Sequence, residues 1–133
     1  MGRYIEDAKT LYNQALRELE RWQQTQDLTI LRDAAEKAWG AVTQAANEVI
    51  DAYGRVVPSG TGARRQELAR LERQHRQLRA LGLEGKFSSA ELTLHRDCFY
   101  DGNCPVPYVP EKVVQDVKEF LDAVEQIAGE ARR

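Results

Sequence analysis

Apolar residues recur along this chain at three- and four-residue steps, the period of one face of a helix. Nowhere do they alternate as a half-buried strand requires. From about residue 3 to 24, Tyr4, Ala8, Leu11, Ala15, Leu19 and Trp22 form one stripe, widened by Ile5, Tyr12 and Leu16. Glu6, Asp7, Lys9, Arg17, Glu18, Glu20 and Arg21 are left for the water side, the division expected of an amphipathic helix. Glu6 and Asp7 fall in the first turn, where negative charge suits the helix dipole. Gln23-Gln24-Thr25-Gln26 is a polar break, and Asp27 is placed to cap the next helix.

That second helix is predicted over about 28–53, with Leu31, Ala34, Ala35, Ala38, Trp39, Val42, Ala45, Ala46, Val49, Ile50 and Tyr53 on its buried side. Its many alanines let neighbouring helices approach closely, so it is expected to be the central element. Gly40 costs about 1 kcal/mol of helix propensity and needs a packing reason. Gly54 is a natural stop, and Pro58-Ser59-Gly60-Thr61-Gly62 is a linker. It lacks the Gly-Lys-Ser/Thr ending of a phosphate-cradling loop and follows a helix, not a strand. A third helix is predicted over about 63–81, ended by Gly82 or Gly85, and a fourth over about 88–99. Ser88 or Ser89 would cap the fourth, with Glu91 at capping-box spacing from Ser88. Pro105, Pro107 and Pro110 bar regular helix over the loop 100–110. The last helix is expected over about 110–128, with Val113, Val117, Phe120, Val124 and Ile127 inward. The sum is an all-α fold, an antiparallel up-and-down bundle of about five helices in a single domain, 1–133. Trp22, Trp39, Phe99 and Phe120 belong in or near its core. Wide apolar faces on the two long helices suit a homodimer.

Composition narrows the class. With 133 residues, 42% apolar and 30% charged, the chain has the balance of a folded domain and not of a disordered segment. No run approaches the ~18 apolar residues of a membrane span, so no membrane role is expected. The N-terminal residues show no apolar targeting core, which points to the cytoplasm.

The net charge of −2 is unevenly spread. Arg64, Arg65, Arg70, Arg73, Arg76 and Arg79 stand against Glu67 and Glu72, giving +4 between residues 64 and 79. The remaining 13 basic and 19 acidic residues give −6. A basic segment on an acidic body points to an anionic partner or to an acidic surface of the protein or its dimer. RNA is possible but not favoured. Two glutamates interrupt the run, and no aromatic residue lies within it on which a base could stack.

Two segments carry a family resemblance. Glu36-Lys37-Ala38-Trp39-Gly40-Ala41 resembles a Glu-Lys-x-Trp-Gly-Ala segment of the small PaREP-type proteins, a branch of the HEPN-like helical bundles. Leu94-His95-Arg96-Asp97-Cys98-Phe99-Tyr100-Asp101-Gly102-Asn103 is similar to a Tyr-Asp-Gly-Asn-containing segment of related small HEPN-like proteins. The resemblance implies an antiparallel helical bundle, often dimeric, and leaves the activity open. Some such proteins are metal-independent ribonucleases, and others are binding subunits of nucleotidyltransferases. A nucleotidyltransferase-like partner protein is therefore an expectation of the resemblance.

The candidate chemistry is sparse. Arg70 and His75 have the Arg-x4-His spacing of the ribonuclease members. His75 would activate the ribose 2′-hydroxyl and Arg70 would hold the phosphate. On one continuous helix, however, His75 falls within the arc of Leu68, Leu71 and Leu78, about 140° from Arg70. A buried or interface histidine is then the simpler role, while Arg65, Arg73 and Arg76 face solvent. Arg73 and Arg76 remain candidate contacts for an anionic partner, and Tyr100, Asp101 and Asn103 a candidate polar rim beside a pocket. His95, Cys98 and Cys104 are three potential metal ligands, one short of a structural zinc site, and no metal or cofactor is expected. Cys98 is expected in the core and Cys104 as a loop thiol, since a cytoplasmic setting disfavours a disulfide. The favoured function is a non-enzymatic interaction or ligand-binding module, with a ribonuclease using Arg70 and His75 as the alternative.

Overall fold

A computed structural model describes residues 2–133, and among them there is helix and no strand. Helix α1 (Arg3–Thr25) and helix α2 (Leu28–Ala52) form a hairpin about Gln26 and Asp27. Gln26 takes the left-handed conformation at φ 56° and closes α1 through its backbone N–H on the Trp22 carbonyl. The Asp27 side chain accepts from the Thr29 N–H at 2.9 Å, the capping bond expected of it. Gly40 has its packing reason: an added Cβ would stand 3.2 Å from Leu11 Cδ1. Leu11 against Gly40 and Ile5 against Glu48 show the two helices running antiparallel. The α2 carboxylate of Glu48, only 2% exposed, accepts from the Ile5 N–H at 3.2 Å and from the Arg132 guanidinium. A buried carboxylate is tolerable only with such partners.

The remaining chain wraps α2, which packs against most of the later elements, as expected of a central helix. After Gly54, at φ 76°, a strap leads to α3 (Thr61–Gln74) and then α4 (Arg76–Leu81). The strap is held from beneath by Arg64. Its guanidinium donates to Asn47 Oδ1 at 2.7 Å and to the Pro58 carbonyl at 2.9 Å. Asn47 pairs with Arg64 and Tyr53 with His75, so α3 advances in the same sense as α2 and does not simply reverse it. The single helix expected over 63–81 is thus two, because His75 adopts an extended backbone (φ −131°, ψ 112°).

Gly82, at φ 63°, ends α4. Helix α5 (Leu83–Ala90) follows and continues without a break into a π-helical segment, Glu91–Tyr100. The expected capping box is absent: Ser88 lies inside α5 and donates to Glu84 at 2.7 Å. Past the proline loop, α6 (Tyr108–Glu111) runs into a second π-helical segment, Lys112–Val117, and then α7 (Lys118–Ala131). Pro110 sits in the first turn of this rod, where its missing N–H costs nothing. Both π segments lie where inward residues step by four: Ala90, Leu94 and Cys98, then Val109, Val113 and Val117. Trp22, Trp39 and Phe120 are buried in the core as expected, while Phe99 is half-buried at its edge.

Candidate functional site

Arg70 and His75 have different neighbours. His75 caps the break between α3 and α4, its N–H donating to the Leu71 carbonyl at 2.9 Å. Its half-buried ring packs 4.6 Å from the Tyr53 ring and borders an open depression with Gly54, Gln77 and Glu130. Arg70 turns to Glu67, with 3.5 Å between Nε and Oε2, and is not part of that depression. The helical-stripe placement of His75 is corrected, because residue 75 is not helical.

The basic run divides by environment. Arg64 is buried, and burial pulls its guanidinium below the ordinary arginine value. Arg65 pairs with Glu91 at 3.2 Å, and Arg79 donates to the Glu72 carbonyl at 3.3 Å. Arg73 and Arg76 are exposed and enter no ion pair among the described residues. Glu67 also receives Arg55 Nε at 3.0 Å, a bond that holds its carboxyl below the usual range.

The residues that do gather come from the two segments bearing the family resemblance. Glu36 and Trp39, on one face of α2, meet His95, Phe99 and Tyr100 of the first π segment. His95 Nδ1 lies 2.7 Å from Glu36 Oε1. An ionised carboxylate only accepts, so Nδ1 carries a proton, and in the neutral ring Nε2 is left as an acceptor. The imidazole is stacked on Trp39 at 5.7 Å and on Phe99 at 6.3 Å, with the Tyr100 ring edge-on at 5.0 Å. Trp39 in turn contacts Phe87 at 5.0 Å, tying the cluster to the core.

The end of the π segment is closed by Arg32 from α2. Its Nε and Nη2 donate to the Phe99 carbonyl at 2.8 and 2.5 Å, and Nη2 to the Tyr100 carbonyl at 3.0 Å. These are carbonyls that a helix end leaves without partners. The chain then folds back on itself: Asp101, Gly102 and Asn103 donate backbone N–H groups to Arg96, Cys98 and Asp97. Gly102 needs to be glycine, with φ 70° and Arg32 Nη1 3.5 Å from where a Cβ would stand. Cys98 and Cys104 are joined as a disulfide. This corrects the expected buried thiol and loop thiol, and with both sulfurs joined the His-x2-Cys-x5-Cys spacing gathers no ligand set. Among the described residues no group of three or more potential metal ligands comes together.

The geometry presents an oriented imidazole beside Tyr100, which is 66% exposed, and a loop whose Asp101 and Asn103 face solvent. Hydrogen bonding to Nε2 and contact with an aromatic ring are recognition chemistry. The sequence places His95 in the family-like segment and in a metal spacing, and neither gives it Glu36 as a partner. Its partner Glu36 lies 59 residues away, and no local signal pairs them. No family model, no curated protein and no solved structure matches this chain.

Proposed function

We propose that this chain is a non-enzymatic interaction module, a HEPN-like bundle that works as a homodimer and engages its ligand or partner protein at the His95 rim. The carrying observation is the Glu36–His95 pair, which joins the two distinctive sequence segments and holds the imidazole against the exposed Tyr100 ring, with Asp101 and Asn103 exposed in the loop that follows. The HEPN-like assignment rests on those segments and on the alternating sense of the long rods. The pairs Leu11–Gly40, Glu36–His95 and Lys9–Glu125 support reading α1, α2, the Leu83–Tyr100 rod and the C-terminal rod as alternating. Dimerisation draws support from Val106, Tyr108 and Val114, large apolar residues about half exposed along the C-terminal rod and its approach.

RNA is not the favoured partner, since Arg64, Arg65, Arg70 and Arg79 all have acceptors within the chain. The test incubates purified wild type and His75→Ala with labelled single-stranded RNA, and measures mass by light scattering. Intact RNA and twice the 15.1 kDa chain mass are expected. Cleavage lost in His75→Ala, with fold and mass unchanged, would establish the ribonuclease alternative instead. A 15.1 kDa species at tens of micromolar would remove the dimer.

A further inference from the structure

A cavity of about 290 Å³ lies between α2, α5, the second π segment and α7, and none of its lining residues belongs to the His95 rim. Its floor is apolar, made by Val42, Ala90, Val117 and Phe120, all nearly inaccessible to solvent. Into it opens Lys112, whose side chain is only 8% exposed. The Lys112 ammonium donates to Ser89 Oγ at 2.9 Å and reaches Asp116 Oδ2 at 3.4 Å. Asp116 is 59% exposed, so most of its charge is answered by water. The ammonium also lies 5.9 Å from the Tyr108 ring centroid; with one hydroxyl and one long bond to a largely solvated carboxylate, its third N–H is left for a ligand. Lys86 adds a second ammonium to the lining and the exposed Glu119 a second carboxylate, so the buried Lys112 ammonium, and not a net positive charge, is what the cavity offers an anion.

We propose that this cavity is a binding site for a small monocarboxylic acid with an apolar tail. The carboxylate sits on Lys112 and the Ser89 hydroxyl, and the tail lies on the floor of Val42, Ala90, Val117 and Phe120. A carboxylate there converts a weakly paired buried charge into a charge-assisted hydrogen bond. The tail covers apolar surface in a space at the small end of ligand cavities. The site is independent of the His95 rim.

Octanoate is the probe, with octanol and octylammonium as arms that remove or invert its charge, titrated calorimetrically into the whole protein. Octanoate is expected to bind at about 0.1–1 mM, in line with the efficiency of a ligand of this size, and octanol at least about tenfold more weakly. Lys112→Met should weaken octanoate by roughly ten- to a hundredfold, the loss of one charge-assisted hydrogen bond, and leave octanol unchanged. Gly85→Leu guards against misfolding of that variant. Gly85 borders the cavity, and an added Cβ there meets no atom within 4 Å. Leucine improves helix propensity, so this variant should fold at least as well while losing octanoate. Octanoate binding no tighter than octanol, or octanoate binding unaffected by both substitutions, overturns the proposal.

Discussion

The α1–α2 hairpin and the chain from Thr61 to Val117 are built by different rules. In the hairpin, apolar spacing, capping and small residues agree, and the result is two unbroken helices of 23 and 25 residues. In the later region the chain breaks at His75, widens into π turns twice and closes a disulfide loop. The break and the two π segments each coincide with a polar or aromatic group that the packing accommodates: His75 against Tyr53, His95 against Glu36, Lys112 against Ser89. A helix stays regular where one apolar stripe settles its placement. It deforms where side-chain bonds made across the bundle outweigh the uniform ladder. π turns often mark functional positions, and both segments here border a candidate binding surface.

The strongest way to break the contrast is to remove the residue that couples the two regions. Trp39→Ala deletes a buried ring that touches Phe87 and His95, and a loss of about 3–5 kcal/mol is expected in urea unfolding. Its near-ultraviolet dichroism should also show that the His95 cluster has loosened. A variant within about 1 kcal/mol of wild type would mean the two regions are not coupled there.

Reducing the disulfide perturbs the later region alone. Closing a loop of six residues stabilises by about 2 kcal/mol in the chain-entropy account. Dithiothreitol should therefore lower the melting temperature while hydrogen exchange in α1 and α2 stays slow. Thiol titration of unreduced, denatured protein should find no free cysteine.

The hairpin is perturbed alone by Asp27→Ala. Losing the bond to Thr29 N–H should cost about 1 kcal/mol, read as a shifted denaturation midpoint with an unchanged m-value. Octanoate binding should be unaffected.

The smallest effect is acid-side. Arg55 holds the Glu67 carboxyl below its ordinary value of 4.5. A depressed carboxyl contributes stability above its unfolded-state value and loses it as pH falls through the folded one. The pair lies near the surface, where such contributions are small. Arg55→Ala should raise the Glu67 pKa in an NMR titration, and wild type and variant should converge in stability as pH falls below the ordinary carboxyl value and through the depressed one. A Glu67 pKa unmoved by the substitution would show that Arg55 is not its partner in solution.

How far the sequence reached differs between the same two regions. The stripe from Tyr4 to Trp22, the Asp27 cap and the Gly54 and Gly82 stops lie within a few residues of the structures they specify, so they were legible. The π turns were not legible, since four-residue steps like those at Ala90, Leu94 and Cys98 also run through the regular α2 at Ala34, Ala38, Val42, Ala46 and Ile50. The Arg70–His75 spacing was visible but uninformative, since it presumed a continuous helix through residue 75. His95 was visible without its role.

What the sequence by itself determined is an all-helical chain with α2 at its centre, because helix periodicity and small-residue content are local properties that burial then enforces. What only the tertiary structure decided is which polar groups meet. Glu36 with His95, Asn47 with Arg64, Glu48 with Arg132 and Lys112 with Ser89 are separated by 59, 17, 84 and 23 residues. Such pairings depend on how whole helices dock. Their energies arise because low-dielectric surroundings penalise every unpaired polar group, a condition that does not exist until the bundle has closed.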